Sequence, residues 1–239
     1  MISQLQLGEV VVDVVQKDIK NLHLSVHPPT GRVTISAPLR MKSEAIRVFA
    51  ITKLGWIKQQ QFKQQAQPRE TPRDYIERES HYVWGRRYLM TIIEKEATAK
   101  IDVSGNRLKL HIRPGTSPAK RQVIMDQWYR EELKKALPPL LAKWEKNIGV
   151  TVSKVFVQRM KTKWGSCNHR VRHIRLNTEL AKKPKKLLEY VIVHELAHLL
   201  EPTHNERFIA ILQSHYPRWL EARTQLNELP LASEVWTQT

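Results

Sequence analysis

The sequence predicts an α+β protein, with an antiparallel β-rich N-terminal region followed by a domain that combines helices with a small sheet. Three observations carry that expectation. Apolar and polar residues alternate through Leu22, Leu24, Val26, Val33, Ile35 and Ala37, the period of half-buried strands. Between Pro118 and Asn147 apolar residues instead recur at helical spacing, and Leu187 to Leu200 is an apolar run of helix length broken by charged and imidazole groups. With 239 residues and 41% apolar content the chain can bury a core. We expect three regions: 1-67, 68-117 and 118-239.

In the first region, Val10 to Val15 reads as a strand, and Pro28-Pro29-Thr30-Gly31 turns the chain between the two alternating runs. Ser43 then opens a helix through Ile46, Val48, Phe49, Leu54, Ile57 and Phe62, with glutamines 59 to 61, 64 and 65 giving it a solvated face. Pro68 to Asp74, rich in proline and charge, reads as a linker. Beyond it, Tyr82 to Ile93 and Lys100 to Ile112 read as strands, the latter turning at Ser104-Gly105-Asn106. The helix from Pro118 to about Asn147 meets Pro138-Pro139, which should kink or split it. Thr151 to Gln158 alternates as a strand, and Arg172 to Asn177 is a candidate partner across a turn at Trp164 to Cys167.

The chemistry concentrates in His194-Glu195-Leu196-Ala197-His198, followed by Pro202-Thr203-His204. Residues four apart share a helix face, so His194 and His198 can direct two ring nitrogens at one ion. Glu195, about 100° round the helix, can border that ion without ligating it and take a proton from water. Pro202 disfavours helix at Glu201, so the helix should end near Leu200 or Glu201. Thr203 and Glu206 form a T-x-x-E capping box for a second helix that His204 opens, running from Asn205 to about Tyr216. Three imidazoles with a free fourth position describe a catalytic metal site, with zinc expected and nickel, cobalt or iron also suited to the donors. The competing reading is a core helix with two satisfied histidines. Burying two histidines and a glutamate among leucines and valines is costly unless each finds a partner, and a metal supplies one most economically.

These segments resemble the YgjP-like zinc-dependent metallopeptidases, which are related to SprT-type proteins. The resemblance rests on residues 194 to 208, on Trp-Gly-Ser-Cys at 164 to 167 with Ile-Arg-Leu-Asn at 174 to 177, and more weakly on Gly31 to Pro38. It implies a zincin-like domain, with His194, His198 and His204 as zinc ligands and Glu195 as general base. The histidine spacing also matches the metzincin pattern, but Glu201 stands where that pattern has glycine. The resemblance further makes the stretch around Trp164 to Cys167 a candidate for pairing with an extended peptide substrate. Ser166 and Cys167 lack the neighbours that activate a nucleophile, and Cys167 as a fourth ligand would close the site.

The 40 lysines and arginines outnumber 23 acidic residues, giving a formal charge of +17 that favours polyanionic partners. Arg159, Lys161 and Lys163 alternate and would share a face on a strand; Arg170, Arg172 and Arg175 follow. The stretch is either an edge strand protected by charge or the wall of an anion-binding cleft. Arg159, Lys163, Trp164 and Ser166 are therefore candidate substrate-binding residues. A peptide or protein substrate is expected, with anionic ones among the candidates. The alternatives are a metal-dependent nucleoside triphosphate (phosphoanhydride) hydrolase and a nucleic-acid-associated protease or binding protein. One cysteine, no signal-peptide pattern in residues 1 to 10 and no apolar run that spans a bilayer lead to an expectation of a cytoplasmic protein without membrane contact.

Overall fold

A computed structural model describes residues 2–27, 30–66, 73–160 and 163–229, and bears out the α+β class. The chain forms two compact units that divide at residue 68. Of the expected linker, residues 68–72 lie outside the described ones, as do Pro28, Pro29 and Lys161.

The first unit holds four strands, β1 (Ile2–Leu7), β2 (Val10–Lys17), β3 (His23–His27) and β4 (Arg32–Pro38), in the order β1-β2-β4-β3. The sheet is not wholly antiparallel as expected, since β2 and β4 run parallel at its centre. Local alternation marks a strand but says nothing about its partner. β1 was not expected; it pairs with β2 across a two-residue turn at Gly8-Glu9. The expected single helix is two, α1 (Ser43–Thr52) and α2 (Leu54–Ala66), broken at Lys53. Ile46, Ala50 and Ile57 join Val12, Val14, Val33 and Ile35 in this unit's own core.

The second unit begins with β5 (Ser80–Val83), β6 (Arg86–Glu94), β7 (Lys100–Ser104) and β8 (Arg107–Ile112), in the order β5-β6-β8-β7. The expected strand from Tyr82 to Ile93 is thus a hairpin. Trp84 and Gly85 both have positive φ, at 51° and 80°, the geometry of a tight two-residue turn that twists with its strands. A third helix, α3 (Pro118–Ile148), runs unbroken through Pro138 and Pro139. Both prolines lie on its exposed side, where water can satisfy the carbonyls left without an N–H partner.

Three further strands, β9 (Lys154–Gln158), β10 (Gly165–Asn168) and β11 (His173–Asn177), form a sheet in the order β10-β11-β9. β11 is parallel to β9, and the Trp-Gly-Ser-Cys segment, a turn by local sequence but a substrate-pairing strand by the resemblance, supplies the edge strand β10. A short 3₁₀ turn at Thr178–Lys182 leads to α4 (Lys185–Ala197), α5 (Glu206–His215) and α6 (Trp219–Glu228). Neither the 3₁₀ turn nor α6 was expected. Leu187, Leu188, Val191, Ile192 and Leu196 of α4 share one core with Met90, Leu108 and Leu110 of the second sheet and Met125, Tyr129 and Leu133 of α3. Glu189 ties α4 to α3 by accepting from Lys143 Nζ at 2.6 Å and Trp144 Nε1 at 2.9 Å. Among the described residues no helix is long and apolar enough to cross a membrane.

Candidate metal centre

The α-helical part of α4 ends at Ala197, earlier than Pro202 alone required. His198 is its C-cap, and the backbone tightens through Leu199 N–H to Leu196 O and Leu200 N–H to Ala197 O, both at 3.0 Å. The Glu201 carbonyl also accepts from Nδ1–H of His198 at 3.2 Å, which leaves the His198 Nε2 lone pair free for a ligand. The expected capping box does not form. Thr203 instead donates its hydroxyl to Glu201 Oε1 at 2.8 Å, and the N-cap of α5 is Asn205, whose Oδ1 accepts from Phe208 N–H at 3.0 Å. His204 therefore precedes the cap rather than opening the helix.

This break swings His204 back over α4. The ligand-type atoms of His194, His198 and His204 lie within 4.8 Å of one another, and the Nε2 atoms of His194 and His204 are 3.1 Å apart. Two nitrogens on a tetrahedral zinc ion stand about 3.3 Å apart, from Zn–N bonds of about 2.0–2.1 Å. The donor set fits a metal. Phe208, 1% exposed, supports all three imidazoles, with ring centroids 4.6 Å from His198, 4.7 Å from His204 and 5.0 Å from His194. Burial, followed by the charges of His198 and His204, lowers the His194 pKa to about 3, and burial lowers that of His198. Neutral rings are the form that ligates.

Glu195 is 5% exposed, and burial pushes its carboxyl up to about 8 against the opposing charge of Lys163. It can lie there because the facing residue of β10 is Gly165. A Cβ on Gly165 would stand 2.5 Å from Glu195 Oε1 and 2.9 Å from its Cδ. The edge strand is fixed in turn by buried Asn177. Its Nδ2 donates to the carbonyls of Met160 and Lys163, both at 2.8 Å, and its backbone N–H donates to Trp164 O at 2.9 Å. Asn177 closes β11, so these bonds hold the chain as it crosses from β9 on one side to β10 on the other.

A model of the family described as "YgjP-like, metallopeptidase domain" matches residues 20–229. The chain belongs to that family. Membership makes it a metal-dependent peptide hydrolase, implies a divalent metal and a peptide or protein substrate, and favours peptide over phosphoanhydride chemistry. Two solved structures are similar to part of it. The metallopeptidase zymogen of Pyrococcus abyssi abylysin is 22% identical over 37% of this chain and 89% of its own, with a TM-score of 0.35. That of Methanocaldococcus jannaschii jannalysin is 21% identical over 37% and 90%, with a TM-score of 0.33. No curated protein matches the sequence.

In this YgjP-like chain the three histidines and Glu195 line a cleft of 410 Å³ together with Lys163, Trp164, Ser166 and Cys167. Arg159 does not reach it. Strand β9 stops at Gln158, so the alternation of Arg159 and Lys163 is not played out on a strand, and Arg159 Nη1 lies 4.0 Å from Asp126 Oδ2 of α3. Cys167 is not among the three-imidazole group, and burial pushes its thiol up to about 11, far from a thiolate. Tyr190, His169, Arg223 and Asn227 also line the cleft and were not anticipated. Tyr190 was legible as the residue one turn before His194 on the same helix face. Arg223 and Asn227 come from α6, where no local signal announces a site.

Proposed function

We propose that this chain hydrolyses peptide bonds with a zinc ion held by His194, His198 and His204, using Glu195 as the general base. When bound, the ion would supply Lewis acidity that polarises the scissile carbonyl, and a positive field that favours the ionised carboxylate beside it. Glu195 accepts a proton as the attacking water adds to the carbonyl carbon, then returns it to the amide nitrogen as the C–N bond breaks. Gly165 gives that carboxylate its place, and the packing of Phe208 and the Glu201 carbonyl hold the rings in register. The outer edge of β10 supports an extended substrate, whose backbone would pair with it beside Glu195. The cell compartment we infer is the cytoplasm, from the single cysteine.

The observation that carries this reading is a buried carboxyl with no ion-pair partner among the described residues, set beside three converging imidazoles. Elemental analysis of the purified protein should find about one zinc per chain, lost in His204→Ala. Glu195→Gln should keep the zinc and lose turnover of a peptide library by at least about 100-fold, the size of a general-base contribution. Full turnover in the zinc-loaded Gln variant would remove Glu195 from the reaction.

A further inference from the structure

The cleft has an uneven charge. Among its lining residues the only acid is Glu195, which is buried, whereas Lys163 and Arg223 bring two full cations and His169 a further imidazole. Neither Lys163 nor Arg223 has a carboxylate partner among the described residues. By contrast Arg218, at the start of the same helix as Arg223, is held by Glu221 through its Nε at 2.9 Å and Nη2 at 2.7 Å. Arg223 thus stays exposed and unneutralised close to a site that takes a cation of its own, and its charge is felt at both His194 and Tyr190. Such a placement works against metal loading unless an anion comes to lie beside it.

The helix gives Arg223 a companion. Trp219, Ala222 and Leu226 bury one face of α6, and Asn227 lies one turn beyond Arg223, so a guanidinium and a carboxamide border the same cleft at i and i+4. The planar guanidinium can present two parallel N–H donors to a carboxylate, and the Asn227 Nδ2 adds a third. We propose that Arg223, with Asn227, binds a carboxylate of the substrate, so that the cleft selects peptides carrying an acidic side chain or a free C-terminus next to the scissile bond. The inference takes its bond class from the peptidase reading, but carboxylate binding does not depend on turnover.

The test uses the full chain with Glu195→Gln, loaded with zinc, so that bound peptide is not consumed. Affinities are measured by fluorescence anisotropy for three labelled peptides of one length: a central Glu with an amidated end, a central Gln with an amidated end, and a central Gln with a free C-terminus. One or both carboxylate peptides should bind about 10- to 100-fold more tightly than the neutral one, as charged hydrogen bonds allow. Which of them gains identifies the source of the carboxylate. Adding Arg223→Gln should abolish the preference, and Arg223→Glu should reverse it in favour of the neutral peptide. Equal binding of all three peptides overturns the inference. So does a preference that survives Arg223→Glu, or one that Lys163→Gln removes as fully, which would mark general charge attraction. A parallel cleavage assay with Glu195 intact separates the two readings: Arg223-dependent binding without cleavage removes the peptidase mechanism and leaves the carboxylate site standing.

Discussion

The orders β1-β2-β4-β3 and β5-β6-β8-β7 trace one path twice: a hairpin, a parallel step to the centre, and a second hairpin. In the first unit the opening turn is exposed, and a Cβ on Gly8 would meet nothing within 4 Å. In the second, the turn at Trp84-Gly85 is docked. Its two N–H groups donate to Ala181 O at 2.8 Å and Lys182 O at 3.1 Å, and Gly85 packs on Pro184, the residue that leads into α4. Among the described residues the core of the first sheet is completed by α1 and α2, while the second sheet shares its core with the helix that carries His194 and Glu195. Strand order alone therefore says nothing about which sheet serves the site; the contacts of one turn and one face decide it.

The largest difference should appear when each unit loses a buried side chain. Phe208→Ala should cost about 3–5 kcal/mol and Ile35→Ala about 2–5 kcal/mol, both by opening cavities. Only Phe208→Ala should weaken zinc binding, by about 10- to 100-fold, because the three imidazoles rest on that ring. Competition with a chelating dye reads this directly. Equal zinc affinity in the two variants would break the distinction between the unit that carries the site and the one that does not.

How much of this was legible follows the range of the interactions. His194, Glu195, His198 and His204 fall within 11 consecutive residues, and their convergence needs only a helix, a break and a cap. Even there the cap is ambiguous in the sequence, because Thr203 and Asn205 are both good cap residues and only the contact of Thr203 with Glu201 decides between them. β10 is built from glycine, serine, cysteine and asparagine, none a strong strand former. Pairing with β11 and the bonds to Asn177 make it a strand, so propensity could not show it. The parallel centre of each sheet and the arrival of Arg223 at the cleft are set by tertiary packing. The likeness of the two four-stranded sheets was equally hidden, since the sequence shows no evident repeat.

A smaller effect separates the two hairpin turns. Alanine at Gly8 or Gly85 must adopt a positive φ, at 61° or 80°, which costs about 1–2 kcal/mol. At Gly8 the cost ends there. At Gly85 the new methyl would stand 2.7 Å from Pro184 Cγ and 3.1 Å from Pro184 N, and backbone yields less readily than a long side chain. Gly85→Ala should therefore be the more destabilising by about 1–3 kcal/mol in urea unfolding, the usual cost of overpacking. Equal losses would mean that the second turn is no more firmly seated than the first.

The finest distinction lies in one buried carboxylate from each unit. Asp13 accepts from Arg32 Nε at 2.6 Å and Gln4 Nε2 at 2.9 Å, and these bonds hold its pKa below 3.8. Glu195 has only the charge of Lys163 against its burial, so its pKa rises from 4.5 to about 8. The signs are opposite. For Asp13 the unfolded chain binds more protons, so its stabilisation is complete above about pH 3.8 and is lost as pH falls through the lower folded value. For Glu195 the folded chain binds more protons between pH 4.5 and about 8, so its contribution is most favourable below 4.5 and declines as pH rises to about 8. In the metal-free protein, Glu195→Gln should gain thermal stability over the parent as pH is raised from 5 to 8, with little difference near 4.5. Asp13→Asn should instead lose a constant amount across that range, and match the parent only in strong acid. A Glu195→Gln difference that stays flat from pH 5 to 8 would show that this carboxylate is already solvated or paired, and that the site keeps no poised base in the absence of its metal.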